Sequence, residues 1–299
     1  LMSMTPTLLL SFSDYEQQAK ALAVVCGIPY ETVLLHRFPD GESQLTLPVN
    51  LAETVILCRS LDDPNHKLVE LMLTAQSLRQ HGVKRIILVA PYLCYMRQDK
   101  AFHPGEVVSQ TIVGHFLADL FDAVITVDSH LHRISQLSEA IPLEQAINLT
   151  ATQPMAEFIE AHFTTPLLLG PDGESEQWVK EIATHFGFDY AVAHKQRLGD
   201  HNVVVTLPEN DYARRNIIIV DDVASTGKTL LEAAKKLMPY QPASVSVLVS
   251  HALFIEDAIA QLNAAGVKQI YSCDSIPHQT NSVSLANILA KALQGVLQQ

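Results

Sequence analysis

Short apolar runs alternate with amphipathic segments along nearly the whole chain, and this alternation restricts the fold more than any other feature. A strand that is apolar throughout must be covered on both faces, which a parallel sheet flanked by helices achieves. Arg85 to Ala90, Ala123 to Val127, Leu167 to Leu169, Tyr190 to Ala193 and Ser244 to Val249 read as such strands. Between them, Asn65 to Gln80 carries Leu68, Leu71, Met72, Ala75 and Leu78 at helical spacing. Val108, Ile112, Phe116 and Leu120 fall on one side of a helix from about Glu106, and Pro154 to His162, Glu174 to Phe186, Glu256 to Ala264 and Leu285 to Leu297 are further helices. The expectation is α/β, with mainly parallel central sheets.

The 299 residues allow two domains, each with its own core. A polar stretch near Ile147 to Thr152 sets the expected boundary, giving 1–148 and 149–283, with a last helix in 284–299 that could join either. Gly82-Val83-Lys84 and Gly266-Val267-Lys268 each enter a strand, a weak hint of duplication because helix-glycine-strand junctions are common.

The most telling segment runs from Ile217 to Leu231. Ile217 to Val220 reads as a buried strand with Asp221 and Asp222 at its carboxyl end, and a stretch of small and hydroxylated residues then leads into the helical pattern of Leu230 to Leu237. Free N–H groups at a helix start attract an anion, Gly227 allows close backbone approach, and the hydroxyls of Ser225, Thr226 and Thr229 add donors. The adjacent carboxylates call for a cation or several hydroxyl donors. A sugar phosphate with a divalent metal meets both needs. A Walker A loop would need a glycine five residues before Gly227, where this chain has Asp222. The plain alternative is a solvated Asp-Asp turn before a helix capped by Ser225 or Thr226.

Other constellations are ambiguous when read alone. Phe38-Pro39-Asp40-Gly41-Glu42 lies between strand-like runs and reads as a turn. Pro91 to Lys100 leaves the end of a strand, where Arg97 could fork onto phosphate and Gln98 and Asp99 could bond a base, or the stretch could be an exposed loop. Asp128-Ser129-His130-Leu131-His132 also follows a strand; in extended chain both rings would share a side, though among 13 histidines a chance pair is the plainer reading. Gly170-Pro171-Asp172-Gly173 could present a carboxylate to ribose or metal, or simply start a helix. Lys195 and Arg197 share a face by alternation, either as a charged edge or as phosphate ligands.

Composition narrows the partners. A formal charge of −12 without a long basic run disfavours nucleic acid and anionic membrane. Cys26, Cys58, Cys94 and Cys273 lie far apart and read as thiols in a reducing cytoplasm, not a disulfide frame or zinc site. The only apolar run near the start is Leu8-Leu9-Leu10, with no basic residues before it, so neither a signal peptide nor a membrane span is expected.

The segment from Asp221 to Thr229 resembles the ribose-phosphate loop of type I phosphoribosyltransferases and of ribose-phosphate pyrophosphokinases. Phe38 to Glu42 matches the Phe-x-Asp-Gly-Glu motif of the second family, and Pro91 to Asp99 its Pro-Tyr-x-x-Tyr-x-Arg-Gln-Asp signature. A phosphoribosyltransferase has no need of either. The resemblance implies two tandem phosphoribosyltransferase-like domains and transfer of a pyrophosphoryl group from MgATP to the C1 hydroxyl of ribose 5-phosphate. It implies ATP contacts from Arg97, Gln98 and Asp99, with Phe38, Asp40 and Glu42 supplied by a neighbouring subunit of a homo-oligomer. Asp221, Asp222, Ser225, Thr226, Gly227, Lys228 and Thr229 would hold ribose 5-phosphate, His130 and Asp172 would serve Mg²⁺, and Lys195, Arg197 and His130 would act in catalysis. His132 is not carried over.

The chain departs from the family pattern at Ser225, where many bacterial and animal members have a third aspartate, and at Lys228, where a second glycine is usual. The stretch from Arg97 to Ser109 looks more like archaeal-type members. Two alternatives are a catalytically silent regulatory paralogue, which would be free to lose Lys195, Arg197 and His130, and a phosphoribosyltransferase, which would not keep the ATP motifs.

Overall fold

The computed structural model describes residues 6–199, 202–255 and 257–299, and the chain divides into two compact units, 1–149 with 286–299, and 150–285. In the first unit the elements are β1 (Thr7–Ser11), α1 (Glu16–Cys26), β2 (Tyr30–Thr32), β3 (Leu34–Arg37), β4 (Ser43–Thr46), β5 (Thr54–Cys58), α2 (Pro64–Gln80), β6 (Arg85–Val89), α3 (Ser109–Leu120), β7 (Ala123–Val127) and β8 (Ala146–Leu149). Six strands form one parallel sheet in the order β2-β1-β5-β6-β7-β8, while β3 and β4 form a separate antiparallel hairpin.

Alternation along the strands builds the core. Leu8, Leu10, Val55, Leu57, Ile86, Leu88 and Val124 cluster with Leu71, Ala75 and Leu78 of α2 and Leu117 and Leu120 of α3. Leu9, Ile56, Ile87 and Ile125 are fully buried at the intervening positions and so point to the other face. Each such side chain contributes about 1.5–3 kcal/mol by leaving water, which is why the strands are apolar without a break. The last helix of the chain, α8 (Ala286–Leu297), packs on α1 and β7 of the first unit, with Leu289, Leu293 and Val296 buried.

The second unit contains α4 (Thr152–His162), β9 (Pro166–Gly170), α5 (Glu176–Phe186), β10 (Asp189–Val192), β11 (His194–Arg197), β12 (Val203–Thr206), β13 (Asn216–Ala224), α6 (Lys228–Leu237), β14 (Ser244–Ala252), α7 (Ala258–Ala264), β15 (Gln269–Cys273) and β16 (Asn281–Val283); α8 (Ala286–Leu297) follows. Its parallel sheet runs β10-β9-β13-β14-β15-β16, again with a detached antiparallel hairpin, β11-β12. Leu167, Leu169, Ile217, Ile219, Val245 and Val247 pack with Leu230, Leu231, Ala234 and Leu237 of α6 and Leu262 of α7.

The two units share one topology: strand, helix, strand, hairpin, then four further parallel strands. The glycines that reveal this are Gly27 after α1 and Gly187 after α5, both left-handed helix C-caps with φ of 67° and 70°. Gly82 and Gly266 precede β6 and β15, which are not equivalent strands, so the hint of duplication taken from them rested on the wrong pair.

Several boundaries differ from the pattern reading, and three of the differences have a local cause or bear on the site. Helix α3 begins at Ser109, not Glu106, because the Glu106 carboxylate accepts the Phe102 N–H at 2.9 Å and pairs with His103 at 2.5 Å, which holds it in a loop. A 3₁₀ turn, Gly173–Ser175, precedes α5. Strand β13 runs on through both aspartates to Ala224, because β14 extends equally far and pairs with Val223 and Ala224. Glu256, expected to open α7, lies outside the described residues.

The four cysteines are thiols, three of them buried, and burial pushes the Cys94 thiol up to about 12. Among the described residues no helix is long and apolar enough to cross a membrane.

Candidate active site

In the second unit the carboxyl ends of β9 and β13 lie side by side, since Leu169 pairs with Ile219. Asp172, two residues beyond β9, and the acid pair of β13 therefore meet at one sheet edge, where ligands collect in open α/β sheets. The Asp221 carboxyl is pushed well above the usual carboxylate range, first by burial and then by the charges of Asp222 and Asp172. The acids also brace the strand: the Asp222 N–H donates to Asp221 Oδ1 at 2.9 Å, and the Val223 N–H to Asp222 Oδ1 at 2.8 Å.

The loop after β13 turns at Gly227, whose φ of 73° falls in the left-handed region. A Cβ there would meet Ala258 Cβ at 3.4 Å, an ordinary contact, so it is the conformation that favours glycine. Gly227 itself is the N-cap of α6, with no side-chain cap; Ser225 Oγ instead accepts the Thr226 N–H at 2.7 Å. Neither Ser225 nor Thr226 is thus the expected cap. Their hydroxyls stand ahead of the helix start, the N–H groups of its first turn are left for a ligand, and the exposed Lys228 and the half-buried Thr229 open α6.

Asp172 is buried, accepts the Ser175 N–H at 3.2 Å and pairs with Lys195 Nζ at 3.1 Å. It is thus the helix-start residue of the sequence reading and, in addition, the charge partner of Lys195. Lys195 stands on β11 opposite Val205, and Arg197 two positions on opposite Val203, so both cations share one face of the hairpin. Arg197 is exposed.

In the first unit the Phe38–Glu42 turn tips the β3-β4 hairpin. The Phe38 N–H donates to the Glu42 carbonyl at 2.8 Å, the Gly41 N–H to the Phe38 carbonyl at 2.9 Å, and the Glu42 N–H to Asp40 Oδ1 at 3.0 Å. With its backbone closed on itself, the turn leaves Phe38, Asp40 and Glu42 exposed. The loop after β6 carries Arg97 and Gln98 on the surface, with Gln98 Oε1 accepting from Ser109 Oγ at 2.9 Å. Asp99 is nearly fully buried by its side chain, pairs with Arg133, and has its second oxygen without a partner. Arg133, which the sequence reading did not single out, therefore ties the loop after β6 to the loop after β7.

His130 lies in the second of these loops with φ of 59°, so the chain is not extended there. The rings of His130 and His132 meet edge to face with centroids 4.2 Å apart because the backbone turns, not because alternate side chains of a strand share a side.

The family described as the N-terminal domain of ribose phosphate pyrophosphokinase matches residues 7–121, and the phosphoribosyl transferase domain matches 142–286. The ribose-phosphate pyrophosphokinase of Methanopyrus kandleri is 31% identical over 263 residues, 87% of this chain and 89% of that protein. The chain belongs to the ribose-phosphate pyrophosphokinase family. A Halobacterium salinarum member of this pyrophosphokinase family is 32% identical over 289 residues, 96% of this chain and 100% of the relative. In fold, the phosphoribosylpyrophosphate synthetase of Mycobacterium smegmatis superposes with a TM-score of 0.82 over 98% of this chain and 99% of that one, at 20% identity. Two tandem phosphoribosyltransferase-type domains and membership of an ATP-dependent pyrophosphokinase family are thereby shown.

The buried charge cluster of the first unit was missed in sequence as well. Arg59, just past β5, is buried to 1% exposure between Asp14 and Glu70. The only signal was its position at the end of an apolar strand.

Proposed function

We infer that the protein transfers the β,γ-pyrophosphoryl group of ATP to the C1 hydroxyl of ribose 5-phosphate. The sugar oxygen bonds to the β-phosphorus, the bond from that phosphorus to the α,β-bridging oxygen breaks, AMP leaves, and the hydroxyl proton passes to solvent. The observation that carries the reading is the meeting of Asp172, Lys195, Asp221 and Asp222 at the sheet edge beside the Ser225–Thr229 loop.

In this reading Ser225, Thr226, Gly227, Lys228 and Thr229 bind the 5-phosphate through backbone N–H groups, hydroxyls and a cation. Asp221 and Asp222 accept from the ribose hydroxyls. Lys228 supplies positive charge where a glycine is usual, and Ser225 removes one negative charge, so this loop favours the phosphate through side chains as well as backbone. Arg97, Gln98 and Asp99 bind ATP, with Phe38, Asp40 and Glu42 from a neighbouring subunit of a homo-oligomer. Lys195 and Arg197 stabilise the charge that builds on the transferring group. No general base is assigned, because a loose phosphoryl transition state needs positioning and charge more than proton abstraction.

The carboxylates fit a divalent cation: burial first, and then the charges of Asp222 and Asp172, hold Asp221 above its ordinary range, and a bound cation would relieve that charge. Asp172 and His130 would hold Mg²⁺, which when bound neutralises phosphate charge. The cytoplasm, where ATP and reduced thiols are found, suits this activity.

The purified protein incubated with Mg²⁺, ATP and ribose 5-phosphate is expected to release AMP in a ribose-dependent manner, followed by chromatography. ADP alone, or AMP without dependence on the sugar, would sink the assignment. A silent paralogue would give neither product.

A further inference from the structure

Glu70 stands in the middle of α2 with its side chain wholly inside the protein. A buried carboxylate is tolerated only when its oxygens are paired, and both are. Arg59 Nη2 donates to Oε1 at 3.0 Å. Arg59 is itself gripped by Asp14, with Nε 3.1 Å and Nη2 2.7 Å from Oδ2, and its guanidinium lies 4.0 Å over the Phe12 ring. Asp14, Glu70 and the Phe12 ring thus hold Arg59 on this side of the cluster.

The other oxygen faces the hairpin. Ser43 Oγ donates to Glu70 Oε2 at 3.3 Å, and Arg37 Nη2 lies 3.6 Å from the same atom. Arg37 and Ser43 are the pair that faces across the base of the Phe38–Glu42 turn, the last rung of β3-β4. One buried oxygen thus holds both ends of the turn. The hairpin has no ladder to the six-stranded sheet, so its position depends on side chains: Leu45 and Leu47 against the apolar core, and Glu70 at the rung. Two acids, Asp14 and Glu70, face two guanidinium groups, Arg59 and Arg37, so the cluster is balanced only when the hairpin is docked.

We propose that Glu70 is a positioning residue for nucleotide binding, fixing the turn that carries Phe38, Asp40 and Glu42 through its shared contact with Arg37 and Ser43. The proposal rests on the reading of that turn as an ATP contact. Loss of the shared oxygen frees the rung, and the turn must then be ordered at the expense of ATP affinity.

The experiment compares steady-state kinetics of the full-length protein and four variants: Glu70→Gln, Arg37→Ala, Ser43→Ala and Phe38→Ala. Glu70→Gln is expected to raise KM for ATP about tenfold while KM for ribose 5-phosphate stays within about twofold. Arg37→Ala and Ser43→Ala move the ATP constant in the same direction, and Arg37→Ala adds little once Glu70 is changed, because both act through one atom. A Phe38→Ala variant with wild-type ATP dependence would overturn the reading of the turn and the proposal with it. If Phe38→Ala weakens ATP but Glu70→Gln does not, or weakens both substrates alike, the reading of the turn stands and Glu70's role is wrong. Should Glu70→Gln not fold, as judged by thermal melting, Arg37→Ala and Ser43→Ala decide: unchanged ATP dependence in both overturns the proposal.

Discussion

The contact between Lys195 and Asp172 carries two separable expectations, one for stability and one for the chemistry proposed above. The lysine was legible as a candidate from its alternation with Arg197, but its partner lies 23 positions earlier in the chain and meets it at 3.1 Å only after β9 and the hairpin are placed. Replacing Lys195 by alanine is expected to lower turnover about 10³-fold with little change in either KM. The same change leaves Asp172 buried without its cation, a loss of about 1–3 kcal/mol in unfolding free energy. Adding Asp172→Asn to Lys195→Ala should restore part of the melting temperature and none of the turnover. Turnover near wild type in Lys195→Ala would remove the lysine from the chemistry, and equal melting of single and double variants would remove the buried-charge argument.

At the level of elements, the loop proposed to bind ribose 5-phosphate depends on a strand that outlasts its apolar part and a helix that starts without a side-chain cap. Gly227 joins the two at φ of 73°. Gly227→Ala is expected to cost about 1–2 kcal/mol of stability from the left-handed conformation. Because the strain falls at the first turn of α6, KM for ribose 5-phosphate should rise well ahead of KM for ATP. Thermal melting and the two constants check this; a stable variant with unchanged sugar binding would show that the N–H groups of this turn are not the phosphate ligands. The hairpins are elements of a different kind. Each hangs outside its sheet, each carries a motif proposed for the reacting phosphates or the nucleotide, and each is held by side chains, Lys195 to Asp172 in one and Arg37 and Ser43 to Glu70 in the other.

Across the whole molecule one topology is used twice with different chemistry at its edges. If the turn of one subunit completes the nucleotide site of another, inactive variants will rescue each other. Phe38→Ala and Lys195→Ala proteins, each impaired alone, are expected to form mixed oligomers in which some sites have both an intact turn and an intact lysine. At ATP concentrations below KM, the activity of the co-expressed mixture should exceed the sum of the two variants; a simple sum would place the turn and lysine in one subunit's own site. The sequence by itself determined the α/β class, because strands apolar on both faces leave no other cover than helices. It also determined the chemistry available at each strand end, because residue type and spacing decide which groups can bind phosphate. Tertiary structure alone decided which of these groups meet. Like charges gather at Asp221, Asp222 and Asp172, Arg133 reaches Asp99, and Arg59 is sealed between Asp14 and Glu70, since charge pairing over long sequence separations has no periodicity to announce it.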